Sequence, residues 1–349
     1  MAIEEGSIQL ELPENHFNKG PGTRTAGFYN KSQKLNRDVT ISFLNTVKPR
    51  LVLDGFGGTG VRGLRIAREL GLRVVISETN KKSYEYILRN RDSNSVDAEV
   101  YNESYEAIAD RFVFDYIDVD PYGSIIPFVD KAINRVRSGG YIGVTATDLS
   151  SLTGSVPAKT RRRYDAYISN DSARHEMGIR LLISYVVRRA AVFDRAAVPL
   201  ISFWHSHYYR IFFRIRSGSK NADIGLEAIG KINRHHLVSE AYPDIEQGPA
   251  WKGNMNSAET LHSLRIPEGL ENNTLLRKYL ESLGNEDLSV LFLDVTDLAK
   301  YLKKDLPRMS RILERLDEFE GIHSARTHFS PTGLKMSSYD IDISDIFRK

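Results

Sequence analysis

The chain of 349 residues contains no cysteine, which excludes disulfides and thiolate metal sites outright. It also lacks any apolar run near the ~18–20 residues of a membrane helix, and its first residues, MAIEEGSIQLELPE, have no signal-peptide pattern. No membrane partner is expected, and a cytoplasmic location fits. Bulk charge is scarce too. A net charge of +3 does not mark a nucleic-acid binder, so any surface for RNA or DNA must be a local cluster. What is present, 41% hydrophobic and 27% charged residues, is the balance of a globular protein with core enough for two domains.

From residue 50 the chain alternates strand and helix signals. Residues 50–54 read as a short strand, 61–70 as a helix closed by Gly71, 73–77 as a strand and 81–91 as a helix. Strands at 98–101 and 112–117, a helix over 124–137 and a strand over 141–147 come next. Strict alternation predicts a parallel sheet with helices on both faces. Residues 149–170 read as irregular and polar, and 172–193 as a long helix with Ile179, Leu182, Ile183, Val186 and Val187 on its apolar face. Segments 198–204 and 208–216 suggest an antiparallel pair at the sheet edge, with Tyr208, Tyr209, Phe212 and Phe213 as core aromatics. The pattern is lost over 218–290, and 294–320 is helical in two pieces broken near Pro307. The expected organisation is an N-terminal segment, 1–49, packed on a cofactor site, a sheet domain, 50–217, and a smaller α+β domain, 218–349.

Two stretches carry chemistry. Gly55-Phe56-Gly57-Gly58-Thr59-Gly60 satisfies G-x-G-x-x-G, but the residue before it is Asp54, which would face a pyrophosphate unfavourably. An acid there suits a cationic ligand such as S-adenosylmethionine, with its sulfonium and α-ammonium. No G-K-[ST] comes after the glycines, so a P-loop is disfavoured. Glu78, at the next strand tip, is placed to bond both ribose hydroxyls of either kind of nucleotide. The second stretch is Asp118-Val119-Asp120-Pro121-Tyr122-Gly123. Proline stops the strand and fixes the corner. The Asp120 carboxylate and a local carbonyl can accept two N–H bonds from a planar amine while Tyr122 stacks on its ring. A plain β-turn uses the same residue types.

Several segments resemble, in order, the tRNA guanine-26 N2-dimethyltransferases. These are Gly27-Phe28-Tyr29-Asn30 with Asn36-Arg37-Asp38, the loop from Asp54 to Arg62, and Asp118 to Ser124. Val144 to Asp148, Arg161-Arg162-Arg163-Tyr164, Ser202-Phe203 through His207-Tyr208-Tyr209-Arg210, and Arg326-Thr327-His328-Phe329 are also similar. The resemblance covers nearly the whole chain. It implies a Rossmann-like class I methyltransferase sheet, S-adenosyl-L-methionine as cofactor and tRNA as partner, in a monomer. It also implies that Phe28, Arg37, Asp54, Gly55, Arg62 and Glu78 serve the cofactor, Arg37 reaching its carboxylate. Two departures stand out. Family members often carry a four-cysteine zinc site, absent here, and His235, His236 and His262 lack partners of the right kind, so no metal is expected. The family places Asp-Ala after the third strand, where this chain has Asn102-Glu103-Ser104-Tyr105, leaving adenine to the Ser104 hydroxyl, to backbone groups or to a neighbouring ring such as Tyr105.

Guanine N2 is a poor nucleophile, because its lone pair is delocalised into the ring. Hydrogen bonds from N2–H to Asp120 and the Pro121 carbonyl favour pyramidal nitrogen and stabilise the charge that develops, with Asp120 as proton acceptor and Tyr122 stacked on the base. Asp148 is placed to shape the guanine pocket or to cap the segment after the fifth strand. Lys159, Arg161, Arg162 and Arg163 are placed to contact RNA phosphates or to form a solvated face. The Asp-Pro-Tyr corner alone also permits another amine, in ribosomal RNA, DNA or protein. A third reading, an RNA-binding protein without catalysis, is disfavoured by the intact Asp54, Glu78, Asp120 and Tyr122.

Overall fold

Alternate residues of each inner strand point to opposite faces of the sheet, and each face has its own core. The computed structural model describes residues 2–13, 27–238 and 240–347. Parts of the expected N-terminal segment, 1 and 14–26, and residues 239, 348 and 349 lie outside the described residues. A hairpin of β1 (Ala2–Glu5) and β2 (Ile8–Glu11) precedes helix α1 (Lys34–Val47). Then come β3 (Leu51–Asp54), α2 (Val61–Leu70), β4 (Arg73–Ser77), α3 (Lys81–Ser93), β5 (Glu99–Tyr101) and α4 (Tyr105–Arg111). After them run β6 (Phe114–Val119), α5 (Val129–Arg135), β7 (Val136–Ala146), α6 (Leu149–Leu152), α7 (Pro157–Tyr164) and α8 (Arg174–Ala191). The sheet closes with β8 (Arg195–His205) and β9 (Tyr208–Ser217).

The seven strands lie in the order β5-β4-β3-β6-β7-β9-β8, parallel as far as β7, with β9 antiparallel to both of its neighbours, β7 and β8. The fold is therefore the expected α/β, Rossmann-like methyltransferase sheet. Val52, Val74, Ile76 and Tyr116 pack with Val39 and Phe43 of α1, Leu64 of α2 and Ile87 of α3. Leu53, Val75 and Ile117 pack on the other side with Ile108 of α4, Ile133 of α5 and Leu182 of α8. The register sets Asp54 beside Asp118 at the carboxyl edge. In open α/β sheets, ligands bind at that edge, where the strand order reverses.

The C-terminal part holds α9 (Ser219–Glu227), a hairpin of β10 (Ile229–Ile232) and β11 (Gln247–Trp251), α10 (Ala258–Ser263) and α11 (Thr274–Asn285). It ends in a three-stranded sheet, β12 (Leu293–Asp294), β13 (Ser324–Arg326) and β14 (Gly333–Met336), with helices α12 (Val295–Leu302) and α13 (Met309–Leu316) between its first two strands. Leu276, Leu280 and Leu283 of α11 join the core of α1. Lys335 of β14 donates to Glu176 of α8 at 2.7 Å, both fully buried.

Two expectations need correction. The helix expected over 124–137 is confined to α5, because Pro127 disfavours helical backbone at Ile126 and cannot donate a hydrogen bond, while Val136 already pairs with Phe114 in the sheet. Residues 149–170 are not wholly irregular but contain α6 and α7. Pro157 at the first turn of α7 is a helix-start signal. The buried side of α7, Thr160 and Tyr164, is too polar and short to show a period.

Candidate active site

The glycine loop, the strand tips and the segment before α1 enclose a cavity of about 650 Å³ at the carboxyl edge of the sheet. Phe28, Arg37, Asp54, Gly55, Arg62, Glu78, Tyr105, Asp120, Pro121 and Tyr122 all line it. Gly55 has no room for a side chain, since a Cβ there would lie 2.5 Å from the Tyr105 ring. Gly58, at φ +57°, turns its N–H onto Glu78 Oε2 at 2.8 Å, and Asn80 N–H donates to Oε1 at 2.8 Å. Both Glu78 oxygens are thus fixed by backbone donors, and each keeps a lone pair for a ligand hydroxyl. Burial pushes the Glu78 carboxyl up, against those donors.

Asp54 is buried, and its carboxylate accepts from Gly63 N–H in the first turn of α2 at 2.9 Å, the sole hydrogen bond of that side chain among the described residues. Burial pushes its carboxyl up to about 6, opposed by Arg62 and assisted by Asp118 and Asp120. A buried acid so far above its ordinary range is suited to a cation arriving in the cavity. Phe56 stacks on Tyr105 at 5.4 Å and 23°, and Phe128 meets Phe56 edge-on at 4.9 Å, giving the cavity an aromatic wall. Two acids on neighbouring strand tips, a close glycine approach and this wall fit S-adenosylmethionine. Glu78 would take the ribose, Asp54 the cationic methionine part and the wall the adenine.

At the Asp-Pro corner, Gly123 N–H donates to Thr147 Oγ1 at 2.9 Å and Thr147 N–H to the Gly123 carbonyl at 2.9 Å, tying the corner to the end of β7. Arg62 lies behind it. One of its nitrogens pairs with Asp120, and another reaches Asp118 at 3.4 Å, Asn36 Oδ1 at 3.2 Å and Thr40 Oγ1 at 3.3 Å. Burial raises the Asp120 carboxyl, partly offset by Arg62. Burial also works against ionised Asp118, but Arg210, 2.5 Å away, and Arg62 hold it below the usual carboxylate range. The Phe28 and Tyr122 rings meet edge to face at 5.0 Å, and Tyr122 is 45% exposed.

The other expected site residues lie apart. Ser104 does not line the cavity; its hydroxyl caps α4 by accepting Ala107 N–H at 3.2 Å. Asp148 is covered by Arg163, at 2.7 Å, and the Tyr164 hydroxyl, at 3.1 Å, beside the cavity residue Thr147. Lys159 donates to Ser150 Oγ at 3.0 Å. Arg161 and Arg162 are exposed, and Arg161 faces a separate cleft with Tyr167 and Lys231. Among the described residues no group of three or more His, Asp or Glu could hold a metal, and no helix is long and apolar enough to cross a membrane.

Asn30, Glu106, Thr147 and His207 are among the lining residues that sequence pattern gave no role. His207, in the β8–β9 turn, faces Asn30 Nδ2 through Nε2 at 2.9 Å and Ser206 Oγ through Nδ1 at 3.1 Å. Asn30 Oδ1 already accepts Ser32 N–H at 2.9 Å, so its amide nitrogen donates to His207, which is then protonated on Nδ1. Burial keeps this imidazole below its ordinary range, against the pull of Asp120. Glu106-Ala107, in the first turn of α4, has the acid-alanine form expected a few residues earlier, and that is the one local signal that could have found it.

Sheet order, strand-tip acids and Asp-Pro corner together define an S-adenosylmethionine-dependent methyltransferase acting on an amine. A family model described as N2,N2-dimethylguanosine tRNA methyltransferase matches residues 9–348, and the chain belongs to that family. It is 44% identical over 348 residues to a tRNA (guanine(26)-N(2))-dimethyltransferase of Thermoplasma volcanium, covering 100% of this chain and 98% of the relative. With the enzyme of the same name from Thermoplasma acidophilum it shares 45% identity over 340 residues, 96% of this chain and 94% of the relative. Trm1 from Pyrococcus horikoshii, solved in complex with S-adenosyl-L-methionine, superposes with a TM-score of 0.87 at 28% identity over 100% of both chains.

Proposed function

We propose that this chain methylates the exocyclic N2 of guanine 26 in tRNA, giving N2-methyl- and then N2,N2-dimethylguanine. The observation that carries the reading is Asp120 at the wall of the cavity that Glu78 and Asp54 line, with Arg62 behind it and the Phe28 and Tyr122 rings in the same cavity. S-adenosylmethionine supplies an electrophilic methyl on a sulfonium. The protein's part is to hold and orient. Asp120 and the Pro121 carbonyl accept the N2–H bonds, Asp120 takes the proton as nitrogen becomes cationic, and Phe28 and Tyr122 grip a base withdrawn from its stack. Raised basicity from burial suits Asp120 to that proton. Arg62 keeps the carboxylate aimed. Glu106 is the candidate acceptor for the adenine amine, taking the place considered for Ser104.

The same reading makes 50–217 the methyltransferase domain and 218–349 a tRNA-binding domain, in a cytoplasmic monomer. Exposed Arg161 and Arg162 would meet RNA phosphates, while Arg163 is paired with Asp148 and Lys159 with Ser150. Mass spectrometry of ribonuclease fragments from a guanine-26 tRNA incubated with protein and cofactor tests the reading. Dimethylguanosine confined to position 26 supports it; methylation elsewhere, or none, refutes it.

A further inference from the structure

The N-terminal hairpin belongs to no other sheet, yet it is firmly fixed. Ile8, Leu10 and Leu12 are buried in the core of α2 and α3. Gln9 N–H donates to Asn94 Oδ1 at 2.8 Å and Glu11 N–H to Asn90 Oδ1 at 2.7 Å. Its turn is pressed onto α2. Gly6 has φ +61°, a conformation strained for other residues, and a Cβ there would lie 2.1 Å from Glu69 Oε1 and displace that side chain. This anchoring delivers one carboxylate, Glu5, into the protein at 2% exposure.

Glu5 meets Arg37 side-on: Nε donates to Oε1 at 2.6 Å and Nη2 to Oε2 at 2.5 Å. Tyr29 donates its hydroxyl to Oε2 at 2.7 Å, and Arg65 donates to Oε1 at 2.9 Å. Burial alone would raise the Glu5 carboxyl, but Arg37 and Arg65 hold it down to about 2, so it is an anion throughout the working range. Arg37 Nη2 also donates to the Asn30 carbonyl at 3.1 Å. Nη1 takes no part in these bonds to Glu5 and Asn30, and Arg37 lines the cavity. One edge of the guanidinium is thus occupied by protein while a remaining donor is left for the cavity.

We infer that Glu5 is a positioning residue for the cofactor: the hairpin exists to set Arg37, side-on, in the one orientation that presents Nη1 to the carboxylate of S-adenosylmethionine. This rests on the reading of Arg37 as the cofactor-carboxylate residue. An arginine side chain has much rotamer freedom, and an arginine aimed before the ligand arrives loses less of it on binding. Glu5 also supplies the counter-charge that lets a cation remain buried at the cavity wall when no ligand is bound.

The test compares two ligands by calorimetry, S-adenosylmethionine and 5′-methylthioadenosine, which keeps the adenine and ribose but has no amino-acid part. Glu5→Gln is expected to weaken S-adenosylmethionine about tenfold and leave methylthioadenosine within about twofold, with Glu5→Asp intermediate. Equal weakening of both ligands would make Glu5 a general structural residue and overturn the inference. Unchanged or tighter S-adenosylmethionine binding would overturn it too, the latter by showing that Glu5 competes with the ligand for Arg37. Should Glu5→Gln fail to fold, Glu5→Asp carries the same pair of titrations. Arg37→Ala separates the underlying reading. If it leaves S-adenosylmethionine affinity intact, Arg37 itself is misassigned; if it weakens that ligand alone while Glu5 variants do not, only the role of Glu5 fails.

Discussion

Arg62 pairs with Asp120 at the wall of the cavity and reaches Asp118 at 3.4 Å with its other terminal nitrogen. One buried cation therefore lies among three carboxylates, since Asp54 also feels its charge. The resemblance implied a cofactor contact for Arg62. The geometry adds a nearer duty, holding the acid that receives the target amine.

Loss of that cation should be costly. Arg62→Ala is expected to destabilise the fold by about 3–5 kcal/mol at pH 7, the scale for removing one partner of a buried ion pair. The loss should shrink toward pH 5, because Asp54 and Asp120, already pushed up by burial, can then take up protons. Urea unfolding at both pH values checks this; a loss under about 1 kcal/mol at pH 7 would show that water or other groups replace the cation.

Asp54 makes cofactor affinity depend on pH. Its carboxyl sits at about 6 before binding, above its ordinary 3.8, so it is ionised above that pH and neutral below it. Ionised Asp54 favours a cationic ligand, so affinity should be full at pH 7–8 and fall as pH drops through 6, approaching tenfold per unit. Asp54→Asn should bind weakly with a flat profile over pH 5–8. A wild-type profile equally flat would remove Asp54 from the ligand.

The arginine run should divide in function. Replacing Arg161 and Arg162 with Ala should weaken tRNA binding and leave cofactor affinity unchanged. The log–log salt slope should shrink by roughly 0.7–0.9 for each phosphate that the protein no longer neutralises. Arg163→Ala frees Asp148 from its 2.7 Å partner and should instead lower turnover on bound tRNA. Salt-dependent binding isotherms of both variants decide it: an unaltered slope in the double variant assigns Arg161 and Arg162 to a solvated face.

Much of the sheet and half of the site could be read from local pattern. The helix 61–70 and strand 73–77 appear with the bounds expected, because Gly60, Gly71 and a dense apolar period mark them. Asp54, Glu78 and Asp120 converge because parallel strands bring their carboxyl ends to one edge, and each comes at the end of an apolar run. What escaped has a common physical cause. His207 meets Asn30 across 177 positions and Glu5 meets Arg37 across 32, so no local spacing announces either pair. Arg163 and Lys159 looked like part of one basic surface, and only tertiary contacts turn them inward while Arg161 and Arg162 face out.

The most direct measurement is the single-turnover rate of methyl transfer by Asp120→Asn with saturating tRNA and cofactor. The amide preserves shape and can accept a hydrogen bond, but it cannot take the N2 proton or match the charge that builds on nitrogen. Turnover should fall by about 10²–10⁴, the range for removing a proton acceptor that also stabilises the transition state, with S-adenosylmethionine affinity within about threefold of wild type. A near wild-type rate under these conditions would contradict the assignment of Asp120 as the group that acts on the target amine.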